Sequence, residues 1–211
     1  MSPTPSEAWN TLLAGNERFI EGAPVHPRQD VERREELASS QEPLTAIFGC
    51  SDSRLAAEII FDLGLGDAFV VRNAGQVISE SVIGSLEYAV GVLNVPLILV
   101  LGHDQCGAVR AAIDSQAPDA TPLPPHIAAL IAPILPAAAR VGDVSGHLPT
   151  SASPSDVAED GREHLRDTVA ELIQRSEMIS SAIADGTLAL VGANYRLDQG
   201  RVVPDVVVGM P

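Results

Sequence analysis

The residues that could do chemistry in this chain sit in two short stretches, Phe48-Gly49-Cys50-Ser51-Asp52-Ser53-Arg54 and Leu101-Gly102-His103-Asp104-Gln105-Cys106-Gly107. They hold the only two cysteines, and each closes an apolar run. Two thiolates and one imidazole are the soft and borderline donors that suit zinc. Asp52 is the candidate for a fourth ligand. Three protein ligands plus a water make a catalytic zinc site, whereas four permanent ligands make a structural one, so Asp52 decides the case. Arg54 can grip that carboxylate with its planar fork and keep it off the metal; without that grip Asp52 would bind and shut the site.

The elements that must position these stretches follow from apolar periodicity. Residues 44–48, 68–71 and 96–101 read as buried strands. Residues 55–63 read as a helix stopped by Gly64 and Gly66, and 79–93 as a helix with Val82, Ile83, Leu86, Val90 and Leu93 on one face. Strands alternating with helices imply right-handed crossovers and an α/β fold, with a mostly parallel central sheet flanked by helices. Ligands gather at the carboxyl ends of such strands. Cys50 and His103 both fall there.

Ahead of the first strand, residues 7–20 have loose helical spacing with Ser6 as N-cap, and this helix is expected to lie on a neighbouring subunit. Residues 30–39 read as a short charged helix. Past Cys106, a helix is expected over residues 107–114, then a proline-rich loop over 115–125. Residues 127–141 read as two helical pieces interrupted by Pro133 and Pro136. Residues 142–155 read as a Gly, Ser and Pro rich insertion, and 156–184 as one long helix. Residues 188–191 and 202–208 are late strands, the first expected at an added edge. Residues 1–211 are read as a single zinc domain, with 1–40 an N-terminal helical arm and 41–211 the α/β core.

Composition sets the class. With 211 residues, 45% hydrophobic and 19% charged, the chain can bury a sizeable core. A formal net charge of −15 argues against nucleic acid or an anionic membrane as partner, since both select clustered Lys and Arg. No signal-peptide pattern and no membrane-length apolar run is present, so a cytoplasmic, reducing setting is expected. That setting favours metal ligation over a disulfide between cysteines 56 positions apart.

At its two motifs the sequence resembles the β-class carbonic anhydrases, zinc enzymes that interconvert carbon dioxide and bicarbonate. Cys50-Ser51-Asp52-Ser53-Arg54 followed by Gly102-His103 and Cys106-Gly107 carries the resemblance, which extends from about residue 12 to residue 195. It implies Zn2+ on Cys50, His103 and Cys106, an Asp52–Arg54 dyad controlling the fourth position, and an obligate dimer or a tetramer. It also implies a substrate pocket in which Gln41, Phe69 and Tyr88 face the zinc of the neighbouring subunit. Ala74 stands where many members have valine, implying a roomier wall. Some members carry an inhibitory bicarbonate site built from a tryptophan, an arginine and a tyrosine. Arg72 and Tyr195 match two of these, but Ile47 stands at the tryptophan position, so that regulation is expected to be absent or altered.

The chemistry so implied is attack of zinc-bound hydroxide on carbon dioxide. A water pKa of about 7 is the figure for carbonic anhydrase with three histidine ligands. Two thiolates cancel the zinc charge, so a less acidic water and an activity rising with pH are expected. Hydrolysis of a related heterocumulene, carbonyl sulfide or carbon disulfide, is the enzymatic alternative. A non-catalytic zinc scaffold or sensor is the other. His26, His126, His147 and His164 are read as surface or packing residues.

Overall fold

The computed structural model describes residues 3–145 and 153–210. Five strands, β1 (Thr45–Cys50), β2 (Ala68–Asn73), β3 (Leu97–His103), β4 (Ala189–Arg196) and β5 (Arg201–Val208), form one sheet in the order β2-β1-β3-β4-β5. The first four are parallel, and β5 runs antiparallel to β4 along the edge. β4 therefore lies inside the sheet, not at the edge expected for residues 188–191. Its burial on both faces explains the apolar run.

Nine helices are described: α1 (Pro5–Ile20), α2 (Val31–Glu36), α3 (Ala57–Ile60), α4 (Glu80–Gly91), α5 (Gly107–Asp114), α6 (Pro125–Ile131), α7 (Leu135–Ser145), α8 (Pro154–Arg175) and α9 (Glu177–Ala184). β1 and β3 are buried along their whole length, as parallel strands covered on both faces must be. Alternate residues divide between two cores. Ile47, Leu97, Leu99 and Leu101 pack with Trp9 and Leu12 of α1 and Val109 and Ile113 of α5. Ala46, Phe48, Ile98 and Val100 pack with Val82 and Leu86 of α4 and Leu165, Val169 and Leu172 of α8.

Three expectations are corrected here. The N-cap of α1 is Thr4, not Ser6: Thr4 and Glu7 form a capping box, with Pro5 in the first turn. α1 also packs on its own sheet. Asn16 donates to the carbonyls of Ile60 and Gly200 and accepts from the N–H of Val202, which ties α1 to α3 and β5. Finally, the long helix expected over 156–184 is broken at Ser176, whose extended backbone ends α8 and starts α9. Its hydroxyl donates to Glu87 of α4 at 2.7 Å and accepts from the N–H of Ile179, so a contact with another helix turns the chain.

The helix over residues 55–63 contracts to α3. Asp62 leaves helical geometry at φ 46° because its carboxylate accepts from Arg18 and from the N–H groups of Val25 and His26. Pro133 marks the break between α6 and α7, a single 3-10 turn over Ala132–Ile134, while Pro136 fits in the first turn of α7. Of the insertion expected over 142–155, residues 146–152 lie outside the described residues, and helix extends to Ser145.

The docking of α1 has a direct test. A Cβ on Gly15 would fall 1.8 Å from the Phe61 carbonyl oxygen, a backbone atom that no rotamer change can move. Gly15→Ala should therefore cost about 2–3 kcal/mol and lower the melting temperature by roughly 5–10 °C. An unchanged melting temperature would mean that α1 does not pack there.

Candidate metal centre

The chain crosses from one side of β1 to the other between β2 and β3, so the strand order reverses at the β1–β3 pair. In open α/β sheets the crevice outside the carboxyl ends at such a reversal is where ligands bind. Cys50 is the last residue of β1 and His103 the last of β3. Gly49 pairs with Leu101, which sets the two strand ends side by side. Cys106 follows at the N-cap of α5.

The ligand atoms of Cys50, His103 and Cys106 lie within 4.8 Å of one another, and all three residues are buried. The imidazole is oriented by its own backbone neighbour: Nδ1 lies 2.7 Å from the Asp104 carbonyl oxygen, which can only accept, so Nδ1 carries the proton. Nε2 is then a bare lone pair, buried, with no hydrogen-bond partner among the described residues. A ligating histidine normally gives its other N–H to a carbonyl or carboxylate in just this way. The orphaned Nε2 and the two buried sulfurs fit a soft divalent metal.

The two sulfurs share one electrostatic problem. Hydrogen bonding from Cys106 draws the Cys50 thiol down against the cost of burial, and the Gly75 N–H, 3.3 Å from Cys50 Sγ, adds to the effect. The Cys106 thiol is pushed up by its hydrogen bond to Cys50 and by burial. A cation between them removes the conflict by accepting both as thiolates.

Asp52 does not join this group. Arg54 donates to it three times: N–H and Nε to Oδ1, both at 2.9 Å, and Nη2 to Oδ2 at 2.7 Å. Those bonds hold the carboxyl well below the usual carboxylate range. Arg54 Nη2 also donates to the Gln105 carbonyl at 3.4 Å, linking the loop after β1 to the loop after β3. The motif's two halves are thereby joined through one guanidinium.

Arg72 has a role that spacing did not reveal. Its Nε donates to the Cys50 carbonyl at 2.9 Å and its Nη2 to the Asp52 carbonyl at 2.7 Å, so it braces the backbone that carries the ligand and the carboxylate. Beside it is a cavity of about 10 Å3 lined in part by Ile47, Cys50, Val70 and Arg72. Tyr195 is buried on β4 opposite His103. The Gly75 contact was equally hidden, because nothing in the spacing of residue 75 marks a donor to residue 50.

The remaining expected site residues lie elsewhere on the chain. Phe69 on β2 and Tyr88 on α4 pack against each other with ring centroids 6.1 Å apart, and Tyr88 is about half exposed. Gln41 is exposed in the loop before β1, and Ala74 is half-buried in the turn after β2. Among the described residues, no bond or ring contact joins any of these four to the Cys50, His103 and Cys106 group.

Comparison with known proteins agrees with this geometry. Residues 45–202 match the family model described as carbonic anhydrase. The chain is 51% identical over 199 residues to carbonic anhydrase 2 of Mycobacterium tuberculosis, covering 94% of this chain and 92% of the relative. It is 47% identical over 198 residues to a carbonic anhydrase of Mycolicibacterium smegmatis, with the same coverage of 94% and 92%. The fold matches a solved structure from work on two tetrameric β-carbonic anhydrases of Sordaria macrospora, with a TM-score of 0.73, 21% identity, and coverage of 96% of this chain and 99% of that one. On the family match and on its identity to these relatives, the chain belongs to the β-carbonic anhydrase family.

Proposed function

We propose that this protein is a zinc-dependent carbonic anhydrase, catalysing the reversible hydration of carbon dioxide to bicarbonate and a proton. The observation that carries the reading is the separation of Asp52 from the three buried donors by its three bonds to Arg54. That arrangement leaves a coordination position for water and speaks against a permanently closed scaffold. Family membership favours carbon dioxide over the other heterocumulenes.

Cys50, His103 through Nε2, and Cys106 would hold the metal. Zinc, when bound there, supplies a Lewis acid that lowers the pKa of a water, and two thiolate ligands keep that effect weaker than three neutral histidines would. Asp52 accepts a hydrogen bond from the attacking water and aims its lone pair at the substrate carbon. Arg54 keeps the carboxylate in place and offsets its charge. Gln41, Phe69, Ala74 and Tyr88 are read as pocket residues. The exposure of Gln41 and Tyr88 on the single chain is consistent with a pocket completed by a second subunit, as a dimer or tetramer.

Residues 1–211 act as one domain in this reading, since α1 packs on the same sheet that carries the site. No described helix is long and apolar enough to cross a membrane. With two free buried cysteines, a reducing cytoplasmic setting is the reading we favour.

Stopped-flow carbon dioxide hydration between pH 6.5 and 9, on protein of measured metal content, should show activity climbing with pH at one zinc per chain. Full zinc with no activity at any pH would contradict the open site. Arg54→Ala should release Asp52 towards the metal, cutting kcat/KM roughly 100-fold while zinc content stays at the wild-type level; loss of zinc would instead make Arg54 a folding residue. Rate measured against bicarbonate should be free of steep cooperative inhibition. Two of the Arg72 donors, Nε and one on Nη2, are held by backbone carbonyls, and the cavity of about 10 Å3 beside it holds about one water, too little for bicarbonate. A sigmoidal loss of activity with bicarbonate would show that such a site survives with Ile47.

A further inference from the structure

One buried histidine outside the metal group touches the machinery at one remove. His164 on α8 is 3% exposed, and its Nε2 lies 2.7 Å from the Gly75 carbonyl oxygen. That oxygen can only accept, so Nε2 carries the proton and donates. Gly75 in turn directs its N–H at Cys50 Sγ at 3.3 Å. We infer that His164 is a positioning residue for the Cys50 thiolate, holding the Gly75 backbone so that its N–H stays on the sulfur. The inference rests on the proposed metal reading of Cys50, His103 and Cys106.

The local backbone explains why a clamp is needed. Gly75 sits at φ 81° and Gln76 at φ 41°, two consecutive left-handed residues in the turn after β2. A glycine is free to leave such a conformation. The turn's ends are fixed by Asn73, whose Oδ1 accepts from the Val77 N–H at 2.8 Å and whose Nδ2 donates to the Val77 carbonyl at 2.7 Å. Its apex is crowded on the opposite side, where a Cβ on Gly75 would meet Ala108 at 2.8 Å and Ile134 at 3.0 Å. Asn73 holds the ends, Ala108 and Ile134 bound the apex, and among the described residues His164 alone bonds the Gly75 carbonyl.

The ring is suited to a fixed, uncharged role. Burial pushes its pKa down, and its Nδ1 has no hydrogen-bond partner among the described residues. One turn earlier on the same helix, Asp160 keeps an unpartnered buried oxygen, and burial together with Asp156 and Glu159 pushes its carboxyl up to about 7. An N–H bond to a ligating sulfur spreads its charge and fixes its direction, and outer partners of this kind typically change metal affinity by about 10–100-fold when lost.

Two polar substitutions of similar burial cost separate positioning from packing. The glutamine amide nitrogen in His164→Gln reaches the place of Nε2, whereas the shorter asparagine in His164→Asn stops near Nδ1. Zinc affinity of the holoenzyme is measured by competition with a chromophoric chelator, and cobalt(II) replacement reports thiolate geometry through the near-ultraviolet charge-transfer band. His164→Asn should bind zinc about 10-fold more weakly and shift the cobalt band, while His164→Gln stays within about twofold of wild type with its band unmoved. Native affinity and spectrum in both variants, or equal loss in both, would overturn the proposal. Nitrogen-15 NMR of the wild-type holoenzyme tests it without substitution, because a His164 ring protonated on Nδ1 and not Nε2 also rules it out. Wild-type zinc content is determined alongside: a wild-type chain without zinc overturns the metal reading itself, a different result from full zinc with an indifferent His164.

Discussion

The structure depends first on the parallel pairing of β1 with β3. Gly49 opposite Leu101 places Cys50 and His103 at the ends of adjacent strands, and a slip of one residue would turn each strand's side chains to the opposite face. Such a slip is strongly resisted, because Ile47 and Leu99 belong to one core and Phe48 and Val100 to the other. The same burial that stabilises the sheet therefore holds the ligand geometry. Catalytic precision here is a by-product of core packing.

Around those strand ends the chain builds a local electrostatic balance unlike its surface. The protein as a whole carries a formal charge of −15, yet the loops after β1 and β3 are braced by two guanidiniums. Arg54 neutralises Asp52 and spans to Gln105, while Arg72 satisfies two carbonyls of the Cys50-Ser51-Asp52 segment. An exposed ion pair is worth little to stability by itself. Its value here is directional, since the Asp52 carboxylate takes three bonds from Arg54 while Arg72 holds the backbone carbonyl of the same residue.

Most of the differences between sequence reading and structure come from contacts with residues distant in sequence. Residues 156–184 carry a continuous helical pattern, but Ser176 has a buried hydroxyl that finds Glu87 on a helix 89 positions away in sequence. Asp62 likewise looks like the end of a helix, and it is turned left-handed by bonds to Arg18, Val25 and His26. The cap of α1 is the local exception: Thr4, not Ser6, caps the helix because Pro5 and Glu7 complete the box within four residues. β4 appears short by apolarity because it passes through Gly192, where α8 packs so close that a Cβ would meet Val169 at 3.0 Å.

What the sequence determined by itself was the chemistry available: two thiols, one imidazole, and a carboxylate two residues from a guanidinium, each behind a strand-forming run. Side-chain type sets donor character, and apolar periodicity sets the elements, so both are legible locally. Tertiary structure alone decided that Asp52 is held by Arg54, that the His103 proton sits on Nδ1, that Arg72 braces the loop, and that Gly75 reaches Cys50. Each of the last two is a hydrogen bond between residues more than twenty positions apart. Such bonds depend on strand register and helix docking, which no local pattern encodes.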